Sequence, residues 1–145
     1  MAIKRMDHVG VIVEDLEAAT EFFLRLGLER QGDGEVEGDW VGRVVGLDGV
    51  RAQLVMLQTA DGHGRLELVK FHSPLGPKAD RDLGANVPGI RHLAFEVEDL
   101  DGLVAGVRAD GGELVGELEN YRDVYRLCYV RGPEGIIVEL AERVG

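Results

Sequence analysis

The chain has a single cysteine, Cys128 in the apolar run LCYV, so no disulfide framework holds it together and that cysteine reads as a buried strand residue. It also lacks any apolar stretch approaching membrane-spanning length, and its N-terminal MAIKRMD runs straight into a strand-like pattern. Neither a signal peptide nor a transmembrane helix is expected, and a cytoplasmic location is the default. Cations are scarce: 16 Lys and Arg face 27 Asp and Glu, a formal charge of −11. A surface this acidic repels phosphate backbones and anionic membranes, which argues against nucleic acid or membrane as partners. There is no Gly-rich phosphate fingerprint and no Ser-His-Asp order, so neither a nucleotide cofactor nor acyl-enzyme chemistry is indicated. What remains is ordinary: 45% hydrophobic and 30% charged residues describe a soluble globular protein. Its 145 residues suffice for one compact domain, or for two half-domains sharing a core.

What is present is a repeat. MDHVGVIVEDLEAATEFF at 6–23 is answered by IRHLAFEVEDLDGLVAGV at 90–107. A shift of 84 positions puts His8 on His92, the V-E-D-L at 13–16 on the V-E-D-L at 97–100, and Gly27 on Gly111. Leu16, Ala19, Phe23 and Leu26 form a stripe of helical period, and the first three land on Leu100, Leu103 and Val107. Asp15 and Asp99 stand where a carboxylate can cap a helix start, and the two glycines stand where each helix should stop. Agreement in strand, cap, stripe and stop indicates a duplicated unit.

Each unit continues with strand-like segments, at 29–37, 51–58 and 65–71 in the first and at 112–117, 125–130 and 135–141 in the second. Turn signals A-D-G-H-G and R-G-P-E-G separate the last pair in each copy. The unit is therefore strand, helix, then three strands: module 1 at 1–73 and module 2 at 90–145. Residues 74–89, within a stretch rich in Pro and Gly, read as an exposed linker. Residues 40–47 read as a short helix or a lid, and YRDVY at 121–125 as a surface loop.

Two glutamates complete the pattern. Glu67 in R-L-E-L-V and Glu139 in I-V-E-L-A each sit mid-strand between apolar residues. Side chains alternate across a strand, so if Leu66, Leu68, Val138 and Leu140 face the helices, the two glutamates face the other way. His8 and His92 alternate in the same sense with Val9 and Val11, and with Leu93 and Phe95. A lone strand histidine is more often structural than a ligand. A carboxylate set among apolar residues is costly unless paired or bound to a cation. Pairing with Arg65, Arg91 or Arg126 is the structural alternative. For four repeat-related positions a divalent metal is favoured, because two imidazoles and two carboxylates suit Zn, Ni, Co, Mn or Fe(II) with water completing the shell.

H-V-G-V-I-V-E-D-L, H-L-A-F-E-V-E-D-L, the two E-L strand motifs and G-P-E-G before the last strand together resemble the vicinal oxygen chelate superfamily. That group includes glyoxalase I, methylmalonyl-CoA epimerase, extradiol dioxygenases, and bleomycin- and fosfomycin-resistance proteins. The likeness spans nearly the whole chain as two modules. It implies an α+β fold: two tandem βαβββ modules forming a cupped, mostly antiparallel sheet around a metal site, with helices outside. Carried over by position, the ligands it implies are His8, Glu67, His92 and Glu139, and it implies a homodimer.

The order His-Glu-His-Glu resembles glyoxalase I more than its relatives. An extradiol dioxygenase would have two histidines and one carboxylate, leaving iron positions open. Bleomycin-binding relatives generally lack the metal set, and the epimerase commonly has an amide where Glu67 stands. The resemblance thus implies a metal-dependent lyase or isomerase acting on a small carbonyl or hydroxy-carbonyl substrate through a metal-stabilised enediolate, with Glu139 as base and Glu67 as runner-up. The alternatives are an Fe(II) dioxygenase and a binding or resistance protein without turnover. Trp40, Met56, Phe71 and Tyr121 are candidate substrate contacts, each equally readable as core or interface, and Arg43, with Arg51 and Lys70, is a candidate anion contact. Whether a thiol cofactor is used, and whether one chain or two supply the site, stay open.

Overall fold

The computed structural model describes residues 2–145. The chain divides into two compact units, one ending at Lys78 and the other beginning at Ala79. Each has its own sheet and helix, and the class is α+β.

In the first unit, β1 (Val9–Ile12) leads into α1 (Leu16–Leu26), then β2 (Glu29–Glu37), α2 (Asp39–Val45), β3 (Arg51–Gln58) and β4 (Arg65–Ser73). The sheet order is β1-β4-β3-β2. β1 runs parallel to β4, pairing Gly10 with Glu67, whereas β3 is antiparallel to both β4 and β2. The start of α1 is set by Asp15, whose carboxylate accepts from the Ala18 amide at 3.0 Å. Its end is set by Gly27, whose φ of 112° lies in the left-handed region that glycine enters without strain. The predicted stripe is buried where it matters, with Ala19 and Phe23 fully covered, and α1 packs on β3 and β4. Leu66 and Leu68 of β4, with Val55 and Leu57 of β3, are buried in the same core. Residues 40–47 hold the short helix α2, which rests on β2.

In the second unit, β5 (His92–Val97) and α3 (Leu100–Ala109) are followed by β6 (Glu113–Leu114), β7 (Glu119–Tyr121), β8 (Tyr125–Arg131) and β9 (Ile137–Arg143). The order is β5-β9-β8-β6, with β7 also on β8. β5 runs parallel to β9, and β8 antiparallel to β9. Asp99 caps α3 through the Gly102 amide at 3.1 Å, and Leu100, Val104 and Val107 are buried with Val130, Val138 and Leu140. Cys128 is buried in β8, and burial pushes its thiol up from the ordinary value.

One expectation needs correction. Residues 112–117 do not form one strand: β6 has two residues, and β7 takes the other end of β8. The chain breaks at Gly116, which packs no side chain onto the sheet. Residues 121–125 are exposed up to Val124, as expected of a surface loop, and form the tight turn between β7 and β8, with Arg122 and Asp123 both at positive φ. The linker is mostly exposed, as expected, and it is also tied down. The Arg131 guanidinium donates to the carbonyls of Arg81, Leu83 and Gly135 at 3.2, 3.0 and 3.2 Å, which ties residues 81–83 to module 2. A Cβ on Gly135 would collide with the Arg81 carbonyl, so that contact needs glycine.

Among the described residues, no helix is long and apolar enough to cross a membrane.

Two stability predictions follow from this packing. Leu68→Ala removes a fully buried side chain from the first core and should cost about 3 kcal/mol, read as a lower urea midpoint. Arg126 holds Asp101 at 2.9 and 3.0 Å and keeps its carboxyl below the ordinary value of 3.8. A depressed carboxylate stabilises the fold above its unfolded pKa and loses that contribution as pH falls through the folded one. The midpoint deficit of Asp101→Asn should therefore stay constant from neutral pH down to about 4 and shrink below it.

Candidate functional site

Parity along β4 and β9 has the predicted consequence within each module. Between Leu66 and Leu68, both buried, the Glu67 side chain emerges on the opposite face of the first sheet. Glu139 does the same between Val138 and Leu140 in the second. The parallel pairing of each module's first and last strands then brings a histidine beside each glutamate. His8 Nε2 lies 4.0 Å from Glu67 Oε1, and His92 Nε2 lies 3.8 Å from Glu139 Oε1. The histidine side chains are 36% exposed and the glutamates 27% and 23%, so both pairs are half-buried and open to a ligand.

The arginines proposed as structural partners are engaged elsewhere. Arg65 donates to Gln31 at 3.0 and 3.1 Å and lies 3.6 Å from Asp7. Arg126 binds Asp101 and lies 3.6 Å from Glu142, at the start of α3. The Arg91 guanidinium reaches the Ile90 carbonyl.

His8 has a fixed partner: its Nδ1 sits 2.7 Å from Asp7, whose carboxyl is held below its ordinary value chiefly by that hydrogen bond. Nε2 is therefore the nitrogen that faces Glu67. The 4.0 Å gap is too long for a hydrogen bond, and it separates two electron-pair donors. In the second module the Tyr129 hydroxyl stands 3.4 Å from His92 Nε2, and the two rings lie 4.8 Å apart. Tyr129 is the register partner of Glu139 across β8 and β9. Desolvation pushes its phenol above the ordinary value, and the Glu139 carboxylate adds to that shift.

The donor set fits a divalent metal in halves. Two donors each about 2.1 Å from one ion can stand no more than about 4.2 Å apart, and both His–Glu pairs meet that limit. Among the described residues, no three His, Cys, Asp or Glu side chains form a group able to hold a metal ion, so each pair supplies two donors.

The candidate substrate contacts separate. Met56 pairs with Glu67 across β3 and β4, and Phe71 lies four residues along β4, on the same face by alternation. Tyr121 lines a hollow of about 290 Å³ in the second module, together with Tyr125, Leu127, Ala94, Ala141 and Glu139. Trp40 is exposed on α2, and Arg43 lines a different hollow with Asp39, Asp48 and several glycines, whose walls include neither His8 nor Glu67. His72 is bonded to Gln53 at 2.9 Å, a structural contact.

Sequence reasoning missed Asp7 and Tyr129. Tyr129 was not within reach of it: counting back from Glu139 across R-G-P-E-G places Leu127 opposite, and the tight turn at 133–135 shifts the register so that Tyr129 stands there instead. Nor was Asp7, because neighbours on a strand point to opposite faces. His8 precedes the first residue of β1, Val9, so strand alternation does not govern it.

Comparison with known proteins places this architecture. A family model described as the Glyoxalase/Bleomycin resistance protein/Dioxygenase superfamily matches residues 5–140. The crystal structure of a glyoxalase family protein from Bacillus cereus is 43% identical, with a TM-score of 0.96 over 100% of this chain and 99% of that one. The fosfomycin resistance protein FosX from Listeria monocytogenes, solved with Mn(II) and a dihydroxypropylphosphonic acid, is 16% identical with a TM-score of 0.62, covering 99% of this chain and 91% of that one. TnmS3, an antibiotic binding protein from a Streptomyces species, is 19% identical with a TM-score of 0.65, covering 99% and 98%. The last two likenesses concern the fold alone. With two βαβββ-type modules, and a family match that spans nearly all of its length, this chain belongs to the Glyoxalase/Bleomycin resistance protein/Dioxygenase superfamily.

Proposed function

We propose that His8, Glu67, His92 and Glu139 are the two halves of one divalent-metal shell, and that the protein is a metal-dependent lyase or isomerase acting on a small carbonyl or hydroxy-carbonyl compound. The observation that carries this reading is the pair of gaps, 4.0 and 3.8 Å, each between an imidazole nitrogen and a carboxylate oxygen. Two electron-pair donors at that spacing are stabilised by a shared cation. Two imidazoles with two carboxylates balance a double positive charge and suit Ni, Zn, Co, Mn or Fe(II).

Such an ion, when bound, supplies electrostatic stabilisation to negative charge on substrate oxygens. The chain's own part is proton transfer. Glu139 takes the proton from a carbon beside the substrate carbonyl and returns it to the same or the adjacent carbon. Glu139 is assigned this role over Glu67 because it lines the hollow with Tyr121 and Tyr125, where a substrate body can rest. Glu67 has Met56 as its strand neighbour and holds its place as a ligand.

The same hollow supports a second reading, a protein that sequesters a small molecule without turnover, and TnmS3 is a fold neighbour that binds an antibiotic. Four filled donor positions weigh against an Fe(II) dioxygenase, which needs open positions.

Purified protein, stripped and reloaded, should take up about one Ni, Co, Zn or Mn ion per four-donor set and lose it in His92→Ala. Uptake of Fe(II) alone would favour the dioxygenase, and no uptake the binding protein. With metal bound, hydrogen–deuterium exchange beside the carbonyl of α-hydroxy ketones, followed by proton NMR, should fall about 10²- to 10⁴-fold in Glu139→Gln. Unchanged exchange would remove Glu139 as the base.

A further inference from the structure

Asp7 lies outside the ligand set and outside the repeat. The shift of 84 positions that matches His8 to His92 matches Asp7 to Arg91, a residue of opposite charge. We propose that Asp7 is the positioning residue of the first half-site: it fixes the tautomer of His8 and turns the Nε2 lone pair toward Glu67.

An ordinary aspartate, with a pKa of about 3.9, is ionised at neutral pH and can only accept hydrogen bonds. At 2.7 Å from Asp7 Oδ2, the Nδ1 of His8 must be the donor. A neutral imidazole carries one N–H, so the proton on Nδ1 leaves Nε2 with its lone pair. That nitrogen faces Glu67 Oε1. The carboxylate is held in turn. Arg65 Nη1 lies 3.6 Å from Asp7 Oδ1, and Arg65 Nε and Nη2 donate to Gln31 Oε1. The brace therefore runs from β2 through β4 to the residue ahead of β1.

The second module has no such brace. Arg91 turns its Nη2 to the Ile90 carbonyl, and its buried Nε has no partner among the described residues. His92 Nε2 faces the Tyr129 hydroxyl instead. The duplicated unit thus supplies the histidine twice and its orienting carboxylate once. Carboxylates that hold the far nitrogen of a ligating histidine raise its basicity and fix its orientation, and losing one typically weakens metal binding 10- to 100-fold.

The tautomer stands on these contacts alone; its consequence for affinity rests on the metal reading above. Both can be measured. Nitrogen-15 NMR of the metal-free chain should show His8 protonated at Nδ1 in the wild type and in Asp7→Asn, whose amide oxygen still accepts. In Asp7→Ala that preference should be lost. Titration with Zn(II) against a chelating dye should show affinity about 10- to 100-fold lower in Asp7→Ala and mostly retained in Asp7→Asn. Asp7 is 57% exposed and precedes the first strand, so the thermal midpoint should barely move in either variant. If His8 keeps the same tautomer in Asp7→Ala, or if zinc affinity there matches the wild type, the role assigned to Asp7 is overturned. If the wild type takes up no metal, the four-ligand reading fails, and the NMR result alone decides whether Asp7 sets the tautomer.

Discussion

Strands β4 and β9 each have to serve two environments with one backbone, and the candidate site depends on how they do it. A strand sends successive side chains to opposite faces, so a polar residue between two core leucines is forced out of the core without any turn or bulge. Glu67 between Leu66 and Leu68, and Glu139 between Val138 and Leu140, are placed by this rule alone. The core fixes the register: slipping either strand by one residue would bury a carboxylate and expose leucines. The force that secures the fold therefore also aims the carboxylates. The histidines are added by parallel pairing, since β1 and β5 lie beside β4 and β9 and run the same way.

Duplication gives the two modules the same core but different polar surroundings. Both helices start on a capping aspartate and bury the same stripe, and both sheets pair the first strand with the last. Beyond the glutamate that each faces, the residues that touch the histidines differ. His8 has the Asp7 carboxylate on one nitrogen and faces Glu67 with the other, whereas His92 has a tyrosine ring beside it and a hydroxyl at Nε2. The glutamates differ too, with Met56 opposite one and Tyr129 opposite the other. Core positions tolerate little change, because close packing penalises any change in volume. Half-exposed positions carry no such constraint, and it is there that the two copies have become unlike.

That difference explains what was legible in the sequence. Strand periods, caps, helical stripes and the Glu parity are local properties, and all could be read from residue order. At 40–47 residue order left a short helix or a lid, and the structure has a helix at 39–45. What could not be read was register and contact across elements. The split between β6 and β7 depends on which end of β8 each short segment pairs with. The hold of Arg131 on residues 81–83 spans about fifty positions, with nothing in its neighbourhood to announce it. The Asp7–His8 contact was hidden for the opposite reason. The two are adjacent, and the alternation rule that places Glu67 correctly would send Asp7 and His8 apart.

Arg65 shows how much hangs on such a contact. From sequence it is the natural counter-ion for Glu67, two residues away on the same face of β4, and a paired Glu67 would have no need of a metal. The fold gives the guanidinium to Gln31 and Asp7 instead. One cation thereby does two things. It leaves the Glu67 carboxylate uncompensated beside a nitrogen lone pair, and it steadies the aspartate that exposes that lone pair. A salt bridge from Arg65 to Glu67 would instead have compensated that carboxylate and closed the half-site.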